Sequence, residues 1–193
     1  MRTSTVIRLE TERLVVRQPE LGDAQAILDY VTRNRDFFRP WEPMREDEYY
    51  TLPYWERRVD LLLAEQEQGR QLDFFVFPKD SPERVIGKAT FSGMIRFAFQ
   101  ACYLGYSMDV GAQGMGYMTE ALRAAIDYLF NEENFHRIMA NYQVTNAPSA
   151  AVLKKLGFVI EGTAKAYLLI DGEWQDHVMT SLTNPNWKPE PRR

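Results

Sequence analysis

The chain is poorest in the residues that hold metals and disulfides: one cysteine, Cys102, and two histidines, His136 and His177, among 193 residues. A disulfide framework is excluded, and a Cys/His zinc site lacks ligands, so no metal is expected. The same shortage fits a reducing cytoplasm. No run approaches the roughly eighteen apolar residues of a membrane span, and the opening MRTSTVIRLE has no apolar core of a secretory signal. An excess of positive charge is also missing. The net charge of −4 argues against a broad nucleic-acid surface, but not against a basic peptide. No repeat with a period of roughly 20–50 residues is visible. What remains is ordinary globular composition, 45% apolar and 26% charged, with 13% aromatic residues that suggest aromatic-lined surfaces as well as a core. The length suits a single domain, placed at residues 1–184, with a frayed, proline-rich tail over 185–193.

Periodicity orders the elements. Arg13–Arg17 reads as a strand. Asp23 then reads as the N-cap of a helix over Ala24–Thr32. Pro40 and Pro43 forbid a regular helix across Arg33–Pro53. A second helix over Tyr54–Gln68 is closed by Gly69. Strands follow at Leu72–Phe77, Val85–Ile95 and Cys102–Met108. Met118, Ala121, Leu122, Ala125, Ile126, Leu129 and Phe130 fall on one helical stripe. His136–Tyr142 is a strand, and Pro148–Leu156 a short helix opened by Asn146 and ended by Gly157. Phe158–Ile170 and Trp174–Leu182 form a hairpin about Asp171-Gly172, a dipeptide that favours a type I′ turn. The order is β-α-α-β-β-β-α-β-α-β-β: a mixed α+β sheet, not a regular doubly wound one.

Two segments carry chemistry. Gly114-Met115-Gly116 lies between a strand and the striped helix, where glycines let backbone approach a ligand and free N–H groups meet the positive end of the helix dipole. Taken neutrally, it is a tight turn. It is neither a Walker loop, since the sole Gly-Lys pair (Gly87-Lys88) is followed by Ala89, nor a Rossmann fingerprint, since Thr119 stands where the third glycine belongs. The second segment is Asn146-Ala-Pro-Ser149 leading to Leu153-Lys-Lys-Leu-Gly157-Phe158. Asn146 and Ser149 offer an amide and a hydroxyl, though both residue types cap helices routinely.

Together these segments resemble the GNAT acetyltransferase superfamily. Longer strings (TERLVVR, FFRPWEP, CYLGYSM, QGMGYMTEAL, HRIMANY and EGTAKAYLLIDGEWQDHV) resemble its RimJ branch, which acetylates the N-terminal alanine of a small-subunit ribosomal protein. The resemblance implies a mostly antiparallel seven-stranded sheet with about four helices, splayed between the strands at Cys102–Met108 and His136–Tyr142. It also implies acetyl-CoA as co-substrate in the splay. Its pyrophosphate would meet Ala112, Gln113, Gly114, Met115, Gly116 and Tyr117; its pantetheine would meet the backbone of Tyr106, Ser107 and Met108, with Asn146 and Ser149 beside it. Three positions depart from the family. Gly111 stands where an Arg or Gln is usual, Leu153 where many relatives carry an acidic tyrosine, and Asn141 where one branch carries a glutamate base.

Transfer from a thioester to an amine needs a neutral amine, a polarised carbonyl and a proton for the thiolate. An α-amine, with a pKa of about 7.7–8.0, meets the first need more readily than a lysine at about 10.4. A backbone N–H near Met108 would polarise the carbonyl. With Leu153 inert, Ser149 becomes the candidate acid, and Glu42 or a water chain the candidate base. Cys102, with nothing basic adjacent, reads as core. Trp41, Glu42, Tyr106 and Tyr167 are candidate acceptor contacts, and the acidic run Glu42–Glu48 would attract a basic terminus. Three functions stay open: acetylation of the ribosomal N-terminus, with ribosome association compatible; acetylation of a small amine or another protein; and non-catalytic binding of acetyl-CoA or the ribosome.

Overall fold

The computed structural model describes residues 6–189. Residues 1–5, where the reading of the leader begins, and the last four residues of the tail lie outside it. The strands are β1 (Arg8–Glu10), β2 (Leu14–Arg17), β3 (Gln71–Pro78), β4 (Gly87–Ile95), β5 (Ala101–Met108), β6 (Arg137–Gln143), β7 (Val159–Ile170) and β8 (Glu173–Thr183). The α-helices are α1 (Ala24–Arg33), α2 (Arg35–Phe38), α3 (Leu52–Glu67), α4 (Tyr117–Asn131) and α5 (Ala147–Lys155).

The strands form one sheet in the order β1-β2-β3-β4-β5-β6-β8-β7. Every neighbouring pair is antiparallel except β5–β6. This is the expected mixed sheet with one strand and one helix more than foreseen. The extra helix is the single turn α2. The extra strand, β1, is three residues long and mostly exposed, too short to show a period. It pairs antiparallel with β2, and Gln18 fastens the residue just before it, its side-chain oxygen accepting from the Ile7 N–H at 2.6 Å and its backbone N–H donating to the Ile7 carbonyl.

Alternation along β3 sends side chains to two cores. Leu72, Phe74 and Val76 face the α4 stripe of Met118, Ala121, Leu122, Ala125, Ile126 and Leu129. Phe75 and Phe77 face Ile27, Tyr30 and Val31 of α1 and Trp55, Val59 and Leu62 of α3. Helices therefore cover both faces of the β2–β5 half, which holds these strands rigid beneath the site.

Three local readings change. Asp23 does not cap α1 with its side chain. Its carboxylate takes both Nη atoms of Arg17 and the Glu20 N–H, closing a 3-10 turn over Leu21–Asp23 that leads into the helix. The proline segment is not featureless. Beyond α2 it makes 3-10 turns at Arg39–Trp41 and Asp47–Tyr50, with Glu42 extended between them. The described part of the tail is fastened rather than frayed. Trp187 Nε1 donates to Asn134 O at 3.0 Å, and Asn134 Nδ2 donates to Lys188 O at 3.0 Å. The hairpin turn is as expected, with Asp171 at φ 45° and Gly172 at φ 82°.

Phe74 is fully buried and packs edge-on against Phe91 and Tyr128. Phe74→Ala is expected to lower unfolding stability by about 3–5 kcal/mol, measured by urea titration. A loss under about 1 kcal/mol would show that this layer is not the core.

Candidate active site

The site begins where two strands part. β5 and β6 pair only at Ala101–Arg137, Cys102–Ile138 and Tyr103–Met139. Beyond that, β5 stays zipped to β4 as far as Met108, and β6 to β8 as far as Gln143. Each strand thus keeps one bonded edge and one bare edge facing the gap. Alternation decides which groups are bare. The Asp109 N–H donates to Ile86 O on the β4 side, whereas Gln100 O accepts from Arg137 N on the β6 side. The Leu104 N–H closes the last bond of the β5–β6 ladder, and beyond it the Leu104 carbonyl and the peptide groups of Tyr106 and Met108 point into the gap, as an added strand-like ligand requires. Ser107 does not. Its register with Lys88 turns its backbone to β4, and its Oγ accepts from the Tyr30 hydroxyl at 2.9 Å. It backs the strand rather than lining the gap.

At the C-terminal end of β5 the chain makes a 3-10 turn (Val110–Ala112) and enters α4 through Gly114 at φ 75° and Gly116 at φ 79°. A Cβ on Gly114 would meet nothing within 4 Å, so its left-handed backbone, not crowding, calls for glycine. Gly116 is the N-cap of α4 and brings no side-chain cap. The first N–H groups of this fifteen-residue helix are left for an anion. Gln113, Met115 and Gly116 are exposed, Tyr117 is half-buried and Ala112 is buried. Arg13, read from sequence only as a strand flank, donates to Met115 O at 3.0 Å, pairs with Glu120 and lies over the Tyr117 ring. The loop and the bare edge together fit a diphosphate joined to an extended amide-bearing arm.

What holds this loop is a strut from the end of α1 that sequence reasoning missed. Asp109, buried beneath the loop, pairs with Arg33 and Arg84 and accepts the Gly111 N–H at 2.8 Å. Asn34, fully buried, accepts the Val110 N–H at 3.0 Å and donates to Tyr30 O at 2.8 Å. A Cβ on Gly111 would stand 3.3 Å from Asp109 Oδ1, so a side chain there would crowd the carboxylate that holds the loop. Arg33 and Asn34 each lie 76 residues from the partner they hold, so no local pattern announces them.

Across the gap, Asn146 caps α5 by accepting the Ser149 N–H at 3.1 Å. What it can offer a ligand is its Nδ2. The half-buried Ser149 places its Oγ 2.7 Å from the Tyr106 hydroxyl. Leu153 is core. Asn141 donates to the Tyr167 hydroxyl at 3.2 Å and so orients that ring instead of accepting a proton. Burial pushes the Cys102 thiol up to about 12, which removes it as a nucleophile. His177 is buried, bonded to Gln175 O and packed on Tyr167.

The four acceptor candidates are not gathered in one place: Tyr106 stands against Ser149 and Tyr167 against Asn141, whereas Trp41 and Glu42 lie on the segment after α2. Arg39 pairs with Asp171 at 3.0 Å, and the Asp171 N–H reaches Glu42 O at 3.3 Å, tying the hairpin tip to the loop after α2. Clefts flank this tie. One, of about 480 Å³, includes Glu42, Arg39, Arg45 and Tyr50 in its lining. The other, of about 360 Å³, includes Trp41, Gln143 and Gln175. No pair bond links Glu42 to Ser149; the two stand on different walls.

Residues 13–159 match the model of the acetyltransferase (GNAT) domain. The chain belongs to the GNAT acetyltransferase family. It is 47% identical over 183 residues to the [ribosomal protein uS5]-alanine N-acetyltransferase of Escherichia coli K12, covering 95% of this chain and 94% of the relative. A crystal structure of ribosomal-protein-S5-alanine acetyltransferase from Vibrio fischeri superposes with a TM-score of 0.91 at 41% identity, covering 95% of this chain and all of that one. Mycobacterium smegmatis RimJ in complex with CoA-disulfide superposes at 0.84 with 30% identity, over 92% and 86% of the two chains. GNAT enzymes take their acetyl group from acetyl-CoA, and the loop and bare edge described above fit its diphosphate and its pantetheine arm. Among the described residues no cluster of His, Cys, Asp or Glu is gathered as for a metal, and no helix is long and apolar enough to cross a membrane.

Burial alone would raise the Asp109 pKa, but Arg33, the Gly111 N–H and Arg84 hold it below its ordinary 3.8. A carboxylate depressed by folding stabilises fully above its unfolded pKa and loses that contribution as pH falls through the lower folded value. Asp109→Asn is therefore expected to cost about 1–3 kcal/mol at neutral pH, a gap that closes as the pH drops below about 4. It should also raise KM for acetyl-CoA roughly tenfold, leaving KM for the acceptor nearly unchanged. Equal rises in both would show that the strut does not act on the cofactor loop.

Proposed function

We propose that this enzyme transfers the acetyl group of acetyl-CoA to the N-terminal alanine α-amine of ribosomal protein uS5, by direct attack within a ternary complex. The observation that carries this reading is the 47% identity to the E. coli uS5-alanine N-acetyltransferase over 95% of the chain. That span takes in the loop after α2 and the β7–β8 hairpin as well as the cofactor half. Such an acceptor is made in the cytoplasm, where we place the enzyme, and ribosome association is compatible with it.

Bound acetyl-CoA supplies an acetyl group activated as a thioester. The residues of this chain do the rest. The α4 N-terminus and the Gly114–Gly116 loop hold the diphosphate. The bare peptide groups of Tyr106 and Met108 align the pantetheine arm, and the Met108 N–H polarises the acetyl carbonyl. Ser149 gives a proton to the departing sulfur. The proton lost by the amine leaves through water or Glu42, and a mostly neutral α-amine needs little help above about pH 8. Trp41, Glu42 and Tyr167 line the path of the acceptor.

The test is thiol release with a peptide of the uS5 N-terminus, followed by mass spectrometry of the product. One acetyl group on the α-amine is expected; acetylation only at a lysine, or only of small amines, overturns the acceptor assignment. Ser149→Ala is expected to lower kcat about a hundredfold. Glu42→Gln should leave a substantial rate with a pH profile flat above about pH 8, whereas complete loss with acceptor binding intact would make Glu42 the required base.

A further inference from the structure

We propose that Tyr106 is a positioning residue for Ser149, aiming the serine hydroxyl proton at the departing sulfur. This rests on the reading of Ser149 as the acid. The Tyr106 hydroxyl oxygen lies 2.7 Å from Ser149 Oγ and 3.1 Å from the Ser149 carbonyl oxygen. Tyr106 stands on the bare edge of β5, and Ser149 stands in the first turn of α5, which follows β6. The contact therefore joins the two sides of the gap beside the bare peptide groups.

A serine in the first turn of a helix has its own outlet, because its hydroxyl can donate back to a carbonyl of the preceding segment. A proton spent there is unavailable to a ligand. A tyrosine that donates to Oγ occupies one lone pair of the serine oxygen and leaves the serine proton as the free direction of that hydroxyl. The second arrangement, in which Tyr106 donates to the carbonyl and Ser149 donates to Tyr106, is unproductive. Negative charge developing on sulfur favours the first. Burial pushes the pKa of the Tyr106 hydroxyl well above its ordinary range, so it remains a neutral donor at every working pH.

The balance is simple. The amine nitrogen bonds to the acetyl carbon, the carbon–sulfur bond breaks, and Ser149 passes its proton to sulfur. Tyr106 keeps its proton and donates a hydrogen bond to the serine oxygen as negative charge collects there. The proton shed by the amine restores the serine hydroxyl through water. No oxidant or further reactant is needed.

The experiment is a double-mutant cycle with Tyr106→Phe, Ser149→Ala and the pair. Each single change is expected to lower kcat at least roughly tenfold, with KM for acetyl-CoA within about twofold and thermal stability little altered. In the Ser149→Ala background, Tyr106→Phe should add less than about a twofold loss. An equilibrium readout accompanies it: calorimetric binding of CoA against desulpho-CoA. The native enzyme should prefer CoA about tenfold where its thiol is ionised, and both single variants should lose most of that preference. If Ser149→Ala is costly while Tyr106→Phe changes neither kcat nor the preference, the proposal is overturned and the acid assignment stands. Multiplicative losses in the pair would likewise overturn it. If Ser149→Ala itself leaves kcat intact, the acid assignment falls and the proposal with it.

Discussion

The structure depends on a parting of two strands in the middle of a sheet. After three paired positions, β5 and β6 separate, and each leaves a row of backbone donors and acceptors unpaired. Such groups are costly to bury and demand partners, so the gap is at once a structural liability and a binding device. It is tolerable because each strand remains bonded on its other side to its end, β5 to β4 and β6 to β8. The rigidity of the two flanks, one of them sandwiched between helices, lets a bare edge exist without collapsing into the pairing that its chemistry favours.

Keeping the gap at a useful width calls for ties on both sides. On the side of the phosphate loop, Tyr30, Arg33 and Asn34 at the end of α1 hold Ser107, Asp109 and Val110 in turn. On the α4 face, the Tyr106–Ser149 contact ties β5 to α5. Since α1 leads directly into α2 and the turn after it, the helix end that holds the glycine loop is continuous with the segment that carries Trp41 and Glu42. One helix end thus holds the β5–α4 loop and the Trp41–Glu42 segment in a common frame, as the close approach of two reactants proposed above requires.

Features carried by neighbouring residues were legible in the sequence. The α4 stripe, the Asp171-Gly172 turn and the Gly114–Gly116 entry into α4 each follow from a local pattern and a single conformational demand. Features made by distant partners were not. Asp23 has every local mark of an N-cap, yet Arg17 claims its carboxylate. Arg33 and Asn34 look like an ordinary helix end until the fold brings Asp109 and Val110 to them. Ser107 is an instructive intermediate. Strand alternation alone separates it from Tyr106 and Met108, but only the register with β4 says which parity faces the gap.

The acidic loop changes most between sequence and structure. Counted along the chain, Glu42–Glu48 is a concentrated negative charge. In space, Arg45 faces Glu42, Arg35 faces Asp47, and Arg57 faces Glu48. Exposed pairs of this kind contribute little to stability, but they offset most of the field that the run would otherwise project toward a basic peptide. What this side of the molecule presents is short-range: the Trp41 and Gln143 cleft, the Tyr167 ring held by Asn141, and the hairpin tip held by Arg39. In the function proposed above, recognition then works through contacts near the reacting amine, with little long-range attraction, which suits an enzyme that selects a single chain terminus.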